Sequence, residues 1–543
     1  MNEFQDRRRA RKQIYFLLMF IALAIVAGRI ATVISREGDT AFLSANDRSR
    51  WCTITSLVEL RTYEIDKLIQ YKNDKNRRPW ATIDSVRHRG ADGEFHRYSS
   101  KPPLFPTMVA GLYWCVYQIT GMQISRQPIY MARIILALVN LPMLAAFFWC
   151  VIGCIERVGR GQWSRIAMAA ATCFGTMMMS FTVALNNHLV AAASTAIVAY
   201  IYCSAVFGPP DPDEDEDDEL ADDEIQGQTL SWWKWMLAGL AAGFCAANEL
   251  PALSMMVFWC LLVALLDRAA IISFLSGIAI VAVAFFASNY VAHGSLKPPY
   301  MHRGLGSEIE ILKSDAPPTG EQINGSLTNA SVEFDSSGPI QISKSAKADR
   351  WIAQTSDNRL FGITKQEDSS WQLSYWDDWY DYPGSYWRGD KRSGVDLGEE
   401  SRLVYFANMT VGHYGLFSLT PIWLLVPFGL VAGLVLGPVG YRRMTAAVLI
   451  ATVVCIVFYL MRPKIDRNYG GVSSCFRWML WFAPLWLVTM TKVLDWCARY
   501  GWSRVLFVVL LACSSFSMAV SLPSPWVHPW IYRFWQFLGW IAP

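Results

Sequence analysis

Eleven stretches of this chain are long and apolar enough to be read as bilayer spans, and nothing else in the sequence limits the fold so strongly. A spanning helix needs about 20 predominantly apolar residues, and the candidates are 15–34, 131–154, 164–184, 189–207, 231–247, 251–267, 270–292, 414–437, 444–461, 475–491 and 503–521. Composition agrees. Of 543 residues, 53% are apolar and only 17% charged, against roughly 25% charged in soluble globular chains. The expected fold is an all-α polytopic membrane protein. The same figures exclude a disordered or collagen-like chain.

Lys/Arg bias orients the spans. Arg7, Arg8, Arg9, Arg11 and Lys12 precede the first one, which places the N-terminus in the cytoplasm. The first apolar run is full length and no small-residue cleavage site follows, so a cleavable signal peptide is not expected. The run 104–120 is ambiguous. Counting it as a span puts the basic loop Glu156–Arg165 and the loop carrying Arg442 and Arg443 outside, whereas a helix lying flat at the interface after the Pro102-Pro103 breaker keeps them inside. The expectation is therefore about eleven transmembrane helices plus one juxtamembrane helix. Three parts follow: an N-terminal module 1–292 that includes the external loop 36–130, a mixed extracytoplasmic segment 293–413, and a C-terminal module 414–543.

Two polar features read as solvated or interfacial. The tract 211–224 holds eleven Asp/Glu and no Lys/Arg, the pattern of a cytoplasmic, self-repelling loop. The tail 526–540, with Trp526, Trp530, Trp535 and Trp540, reads as an aromatic anchor. Most of the twelve Cys lie in apolar runs and act as small hydrophobes, so neither a disulfide framework nor a metal ribbon is indicated.

Chemistry-bearing residues gather on the external side. Short external turns hold Asn186-Asn187-His188 and Asn248-Glu249-Leu250-Pro251. The spans carry almost no acids in their middles, unlike ion-coupled transporters, which place ionisable groups there. The first external loop carries Asn46-Asp47-Arg48-Ser49-Arg50-Trp51, then Trp80-Ala81-Thr82-Ile83-Asp84-Ser85, then Tyr98-Ser99-Ser100-Lys101-Pro102-Pro103-Leu104. A later stretch runs Asn468-Tyr469-Gly470-Gly471 to Phe476-Arg477-Trp478.

This layout resembles the C-type membrane glycosyltransferases, in particular the aminoarabinose lipid A transferases and the protein O-mannosyltransferase-like group (family 39-like). Their first external loop carries an Asp-Glu-x-x-Tyr-like motif, matched by Asp47, Arg50 and Trp51. Their aromatic-x-Lys-Pro-Pro-Leu motif is matched by Lys101-Pro102-Pro103-Leu104. Arg48 stands where that family has Glu, and Ser100 where an acid often precedes the Lys. Both departures weaken any metal site carried over, so a divalent metal is left open.

The resemblance implies a polyprenyl-phosphate sugar as donor and a glycolipid, polysaccharide or protein as acceptor, with inversion. A bacterial inner membrane is expected ahead of an endoplasmic reticulum, and no nucleic-acid partner is expected. Stabilising an anionic leaving phosphate calls for cations at the membrane surface, and Lys101, Arg467 and Arg477 are so placed. The acceptor hydroxyl needs a carboxylate base: Asp47 is the first candidate and Asp84 the second. Arg50, His188 and Glu249 are expected to line the donor site. The rival class is a transporter or scaffold that handles polyprenyl-linked glycans without chemistry.

Plainer roles are open for each residue. Asp47 can cap a helix, Lys101 can snorkel, Arg477 can mark a membrane boundary, and His188 and Glu249 can satisfy helix ends. Asp92-Gly93-Glu94-Phe95-His96 has short-range ligand character but reads first as a solvated turn. The aromatic run within 371–387 suits either carbohydrate contact or packing. Lys297-Pro298-Pro299 echoes the earlier motif without the apolar helix after it, and takes no role. Asn324, Asn329 and Asn408 are sequons.

Overall fold

A computed structural model describes residues 2–209, 228–314, 316–345, 347–368, 370–388 and 391–541. The acidic tract lies outside these residues. The chain divides into two packed units: Met1–Asp47, Cys115–Ala284 and Val395–Pro543 form the first, and Arg48–Trp114 with Phe285–Gly394 the second.

The first unit is helical. Among the described residues of the chain, six helices are long and apolar enough to cross a membrane: Asp6–Thr32, Pro128–Val158, Asn187–Phe207, Ala270–His293, Val439–Met461 and Gly501–Ser521. The other five apolar stretches are helical too, but shorter or interrupted. Trp232–Asn248 has 17 residues and Leu253–Leu266 has 14. The stretch 164–184 is split into Gln162–Phe174 and Met178–Thr182, 414–437 is broken at Thr420-Pro421, and 475–491 opens with a 3₁₀ turn, Arg477–Phe482, before Ala483–Cys497.

Small residues set the packing. Helix Asn187–Phe207 is lined by Ala191, Ala192, Ala193 and Ala196, all buried, so neighbouring backbones approach closely. Helices Trp232–Asn248 and Ala270–His293 cross at glycines: a Cβ on Gly239 would stand 1.9 Å from Phe274 O, and one on Gly277 would stand 2.3 Å from Met236 O. The break after Thr182 is made affordable by two amides. Asn140 Nδ2 donates to Thr182 O (2.7 Å) and Ala184 O (3.0 Å), and Asn186 Nδ2 donates to Ala184 O (2.9 Å). Carbonyls freed by the interruption are thereby satisfied away from water.

The second unit carries the strands. A hairpin pairs β1 (Ser85–Arg89) with β2 (Phe95–Ser99), Ser85 opposite Ser99. Its turn puts Gly93 at φ 86° beside Asp92, whose side chain accepts from Glu94 N at 3.0 Å. A five-stranded antiparallel sheet follows from β3 (Arg303–Lys313), β4 (Gln341–Lys344), β5 (Arg350–Gln354), β6 (Leu360–Lys365) and β7 (Ser370–Asp378), in the order β3-β7-β6-β5-β4. Alternation along β6 and β7 sends Phe361, Ile363, Trp371 and Leu373 to one face. There they pack with Ile323 and Leu327 of helix Gly320–Asn329, which starts at a Thr319/Gln322 capping box.

Val86 and Tyr98 of the hairpin pack on Trp379 and Tyr380, and Arg87 N donates to Trp379 O at 2.9 Å. Of the two uses open to the aromatic run, packing takes Trp371, Trp379, Tyr380 and Tyr382, all buried. The hairpin within 36–130 has no counterpart in the sequence reading, because its strands are rich in Arg and His rather than in β-branched residues.

Helix Leu104–Thr120 starts directly after the Pro102-Pro103 breaker. It buries Phe105, Val109 and Tyr113 while exposing Met108, Trp114 and Ile119.

Candidate functional site

The two costly turns of the helical unit meet each other. Asn186 caps helix Asn187–Phe207, its side chain accepting from His188 N (3.0 Å) and Leu189 N (3.3 Å). That cap fixes the next two side chains. Asn187 Nδ2 donates to Glu249 Oε1 at 2.7 Å and to Asn248 O at 2.9 Å. His188, 1% exposed, stands with Nδ1 2.5 Å from Glu249 Oε1.

On its other edge, His188 Nε2 meets Arg477 Nη1 at 2.5 Å. Arginine only donates, so Nε2 is an acceptor, the ring is neutral, and the proton sits on Nδ1 facing the Glu249 carboxylate. Arg477 is itself buried. Its Nε donates to Gly470 O at 2.8 Å, and its guanidinium lies 5.1 Å from the centre of the Trp526 ring. Gly470 (φ 93°) and Gly471 (φ 76°) are both left-handed, and a Cβ on Gly470 would stand 2.5 Å from Arg477 Nε. The Gly-Gly pair is therefore what lets the loop wrap the arginine.

Arg467 does not belong to this cluster by its contacts. Its Nη1 donates to Glu400 O at 2.7 Å, and Tyr469 alongside donates to Glu399 Oε1 at 2.8 Å. Asp47 is wholly buried. Oδ2 accepts from Leu43 N (2.8 Å) and Oδ1 from Ser44 N (2.7 Å), while Ser44 Oγ accepts from Asp47 N (3.2 Å). This is a reciprocal cap on helix Ala45–Thr55, with Ser44 rather than Asp47 at the capping position.

The second unit brings Asp84 and Lys101 together through hairpin register. Asp84 precedes β1 and Lys101 follows β2, so pairing Ser85 with Ser99 carries both to one end, where Asp84 Oδ2 lies 3.1 Å from Lys101 Nζ. Ser100 N donates to Asp84 O at 3.1 Å, and Ser49 Oγ bridges Asp84 O (2.5 Å) and Ser99 Oγ (2.7 Å). Arg48 Nη1 donates to Ala81 O at 2.7 Å, and Arg50 is buried. The loop before the hairpin therefore lies along the helix that carries Arg48, Ser49 and Arg50.

Among the described residues, no group of three or more His, Cys, Asp or Glu side chains is arranged to hold a metal ion. His96 Nε2 contacts Asp92 Oδ2 at 2.8 Å within the hairpin turn. An open cavity of about 520 Å³ lined by Tyr117, Gln123 and Arg126, among others, holds none of the predicted site residues.

Asn187 and Trp526 are site residues that sequence reasoning passed over. Asn187 stood in a turn already marked as unusual, whereas Trp526 was hidden among tail aromatics that looked alike.

No protein-family model matches the sequence, and a search of curated proteins finds no match. Solved structures do resemble it. An oligosaccharyltransferase of Archaeoglobus fulgidus, in complex with Zn and sulfate, is 12% identical over 96% of this chain, with a TM-score of 0.42. The chain spans about half that protein's length, 55%. The archaeal AglB with an inhibitory peptide and a dolichol-phosphate is also 12% identical, with a TM-score of 0.40 and coverage of 97% and 57%. The Saccharomyces cerevisiae protein O-mannosyltransferase Pmt1-Pmt2 complex bound to its sugar donor is 10% identical, TM-score 0.43, covering 97% of this chain and 92% of that one.

Proposed function

We propose that this protein is a membrane glycosyltransferase. It moves a sugar from a polyprenyl phosphate to a hydroxyl of a glycolipid, polysaccharide or protein at the extracytoplasmic face, with inversion. The observation that carries the reading is Arg477: a buried guanidinium fixed by a neutral histidine, a glycine carbonyl and an indole face, in a loop next to a membrane-length helix.

In the proposed reaction the base takes the acceptor's O–H proton, the acceptor oxygen bonds to the anomeric carbon, and the bond from that carbon to the phosphate oxygen breaks. The electron pair leaves on the phosphate. Charge grows on the phosphate as the sugar departs, so Arg477 stabilises the transition state more than the bound donor. Lys101 is the proposed second cation, with Arg50, His188, Glu249 and Arg467 as supporting residues.

Asp47 is the proposed base on the strength of its motif, with its orientation fixed by the backbone donors at residues 43 and 44. Asp84, beside the Lys101 ammonium, is the second choice. The proposed setting is the bacterial inner membrane, with the N-terminus cytoplasmic.

The test is to incubate the purified protein with a panel of polyprenyl-phosphate sugars and measure release of polyprenyl phosphate. Turnover of one donor that falls sharply in Arg477→Gln supports the reading. Binding of donors with no release, in wild-type protein given every acceptor class, would instead leave a carrier of lipid-linked glycans.

A further inference from the structure

The loop after the membrane-length helix Ala270–His293 brings a serine, a histidine and an aspartate into line. Strand pairing places two of them. β3 and β7 set Gly304 opposite Asp377, and one step beyond the pairing Trp379 N donates to His302 O at 3.1 Å. His302 thus lies beside Asp377, whose Oδ1 accepts from its Nδ1, and its ring stacks on Trp379 at 3.5 Å with the planes 3° apart. Ser295 arrives from the other direction. Gly294 is left-handed (φ 67°), and Lys297-Pro298-Pro299 leads into a 3₁₀ turn, Pro299–Met301, that doubles the chain back until Ser295 Oγ stands 3.2 Å from His302 Nε2.

Chemistry fixes where the protons sit. A carboxylate only accepts, so Asp377 holds a proton on His302 Nδ1, and in the neutral ring Nε2 is then an acceptor. Two groups face Nε2: Ser295 Oγ and, at 3.3 Å, Lys297 O. A carbonyl cannot donate, so the hydroxyl is the donor. Ser295 Oγ has one proton to give, and as an acceptor it already holds Lys297 N at 3.1 Å. The second carboxylate oxygen of Asp377 lies 3.8 Å from Lys297 Nζ. His302 is buried whereas Ser295 is half-buried, so the base is shielded and the hydroxyl can be reached.

We infer that Ser295, His302 and Asp377 form a nucleophilic site for carboxylic esters of membrane lipids, a function additional to the sugar transfer proposed above. Ser295 Oγ bonds to the ester carbonyl carbon as His302 Nε2 takes its proton. The bond from that carbon to the alcohol oxygen then breaks, and the alcohol leaves with the proton from Nε2. Water hydrolyses the acyl-serine by the same route and releases a carboxylic acid. Asp377 is a positioning residue that acts through the ring. Leu296 N–H, next in the chain, takes no carbonyl among the described residues and can donate to the developing oxyanion. The lipid class follows from place: Ser295 stands two residues beyond a helix of span length, with Val291, Leu296 and Met301 exposed around it in sequence.

The test is covalent labelling of full-length protein in detergent by a fluorophosphonate with a long alkyl chain, which captures serines activated by a base. Wild type is expected to carry one adduct, on the peptide containing Ser295, and Ser295→Ala none. His302→Phe keeps a ring on Trp379 and removes the base, so its labelling should be about 10²–10⁴-fold slower. Asp377→Asn should lower the labelling rate constant while the final stoichiometry stays full. A merely structural aspartate would do the opposite, because lost fold reduces the labelled fraction and not the rate.

No adduct on wild type, with a known serine hydrolase labelled in parallel, overturns the inference. So does an unchanged rate in His302→Phe, which would leave His302 a clamp between Asp377 and Lys297 O and Ser295 an ordinary hydroxyl. Turnover of p-nitrophenyl palmitate should exceed that of p-nitrophenyl acetate, and equal turnover overturns the assignment to lipids. Ser295→Ala should still release polyprenyl phosphate from its sugar conjugate at the wild-type rate. Loss of that release together with labelling would make Ser295 part of the transfer site and overturn the additional function.

Discussion

Replacing Gly470 with alanine moves one arginine and little else, which makes it a direct test of what Arg477 does. The new Cβ would stand 2.5 Å from Arg477 Nε, 3.0 Å from Cγ and 3.2 Å from Cδ, against 3.4 Å for ordinary contact. The intruding atom meets a side chain and not backbone, so the arginine gives way, by roughly 1 Å. That shift breaks the geometry with Gly470 O and His188 Nε2. A misplacement of about 1 Å at a reacting centre can cost about 10²-fold in rate. Backbone strain at φ 93° adds about 1–3 kcal/mol of destabilisation.

Gly471→Ala is the matched control. Its φ of 76° imposes comparable strain, but its nearest neighbour would be Asp396 Oδ1 at 3.7 Å. Both variants should therefore melt slightly below wild type, and only Gly470→Ala should lose transfer, by about two orders of magnitude. The assay is release of polyprenyl phosphate from its sugar conjugate, alongside a thermal melt. Equal transfer rates in the two variants would refute the argument, because Arg477 would then be displaced without consequence.

Further outcomes are expected. Asp47→Asn leaves one of the N–H groups at residues 43 and 44 facing an amide instead of an oxygen, so it should cost about 1–3 kcal/mol of stability and, if Asp47 is the base, about 10²–10⁴-fold in turnover. A folded variant with wild-type turnover moves that role to Asp84, where Asp84→Asn is the next measurement. A cysteine at Ser307 in a Cys-free background should react with an impermeant thiol reagent added outside cells, whereas one at Ser231 should not; the reverse labelling would invert the orientation. His413 is pushed down to about 4, first by burial and then by neighbouring His528, itself lowered by burial and by Arg533. Neutral rings in the fold mean fewer bound protons than in the unfolded chain, so stability is full above pH 6.5 and is lost as pH falls toward about 4. Thermal midpoints across that window should decline in wild type and less so in His413→Phe.

Sequence alone determined the residues that must leave water. Apolar runs of span length, and the Pro102-Pro103 stop before Leu104, act locally, so helices arise at all eleven predicted stretches. The same locality explains why His188, Glu249 and Arg477 could be singled out, as polar side chains at helix ends or loops with no local reason to be there. What the sequence could not give is who meets whom.

Arg477 reaches His188 across 289 positions, and Asp84 reaches Lys101 only because hairpin register pairs Ser85 with Ser99. Such contacts depend on packing between segments distant in the chain, and a linear pattern does not encode packing. The interruptions at 175–186 and 420–421 depend on it as well. At the first, Asn140 Nδ2 donates to the carbonyls of Thr182 and Ala184; at the second, Ser514 Oγ accepts from Ile422 N at 3.1 Å. Trp526 shows the limit most plainly: composition makes it one aromatic among several in the tail, and only the fold sets its ring against Arg477.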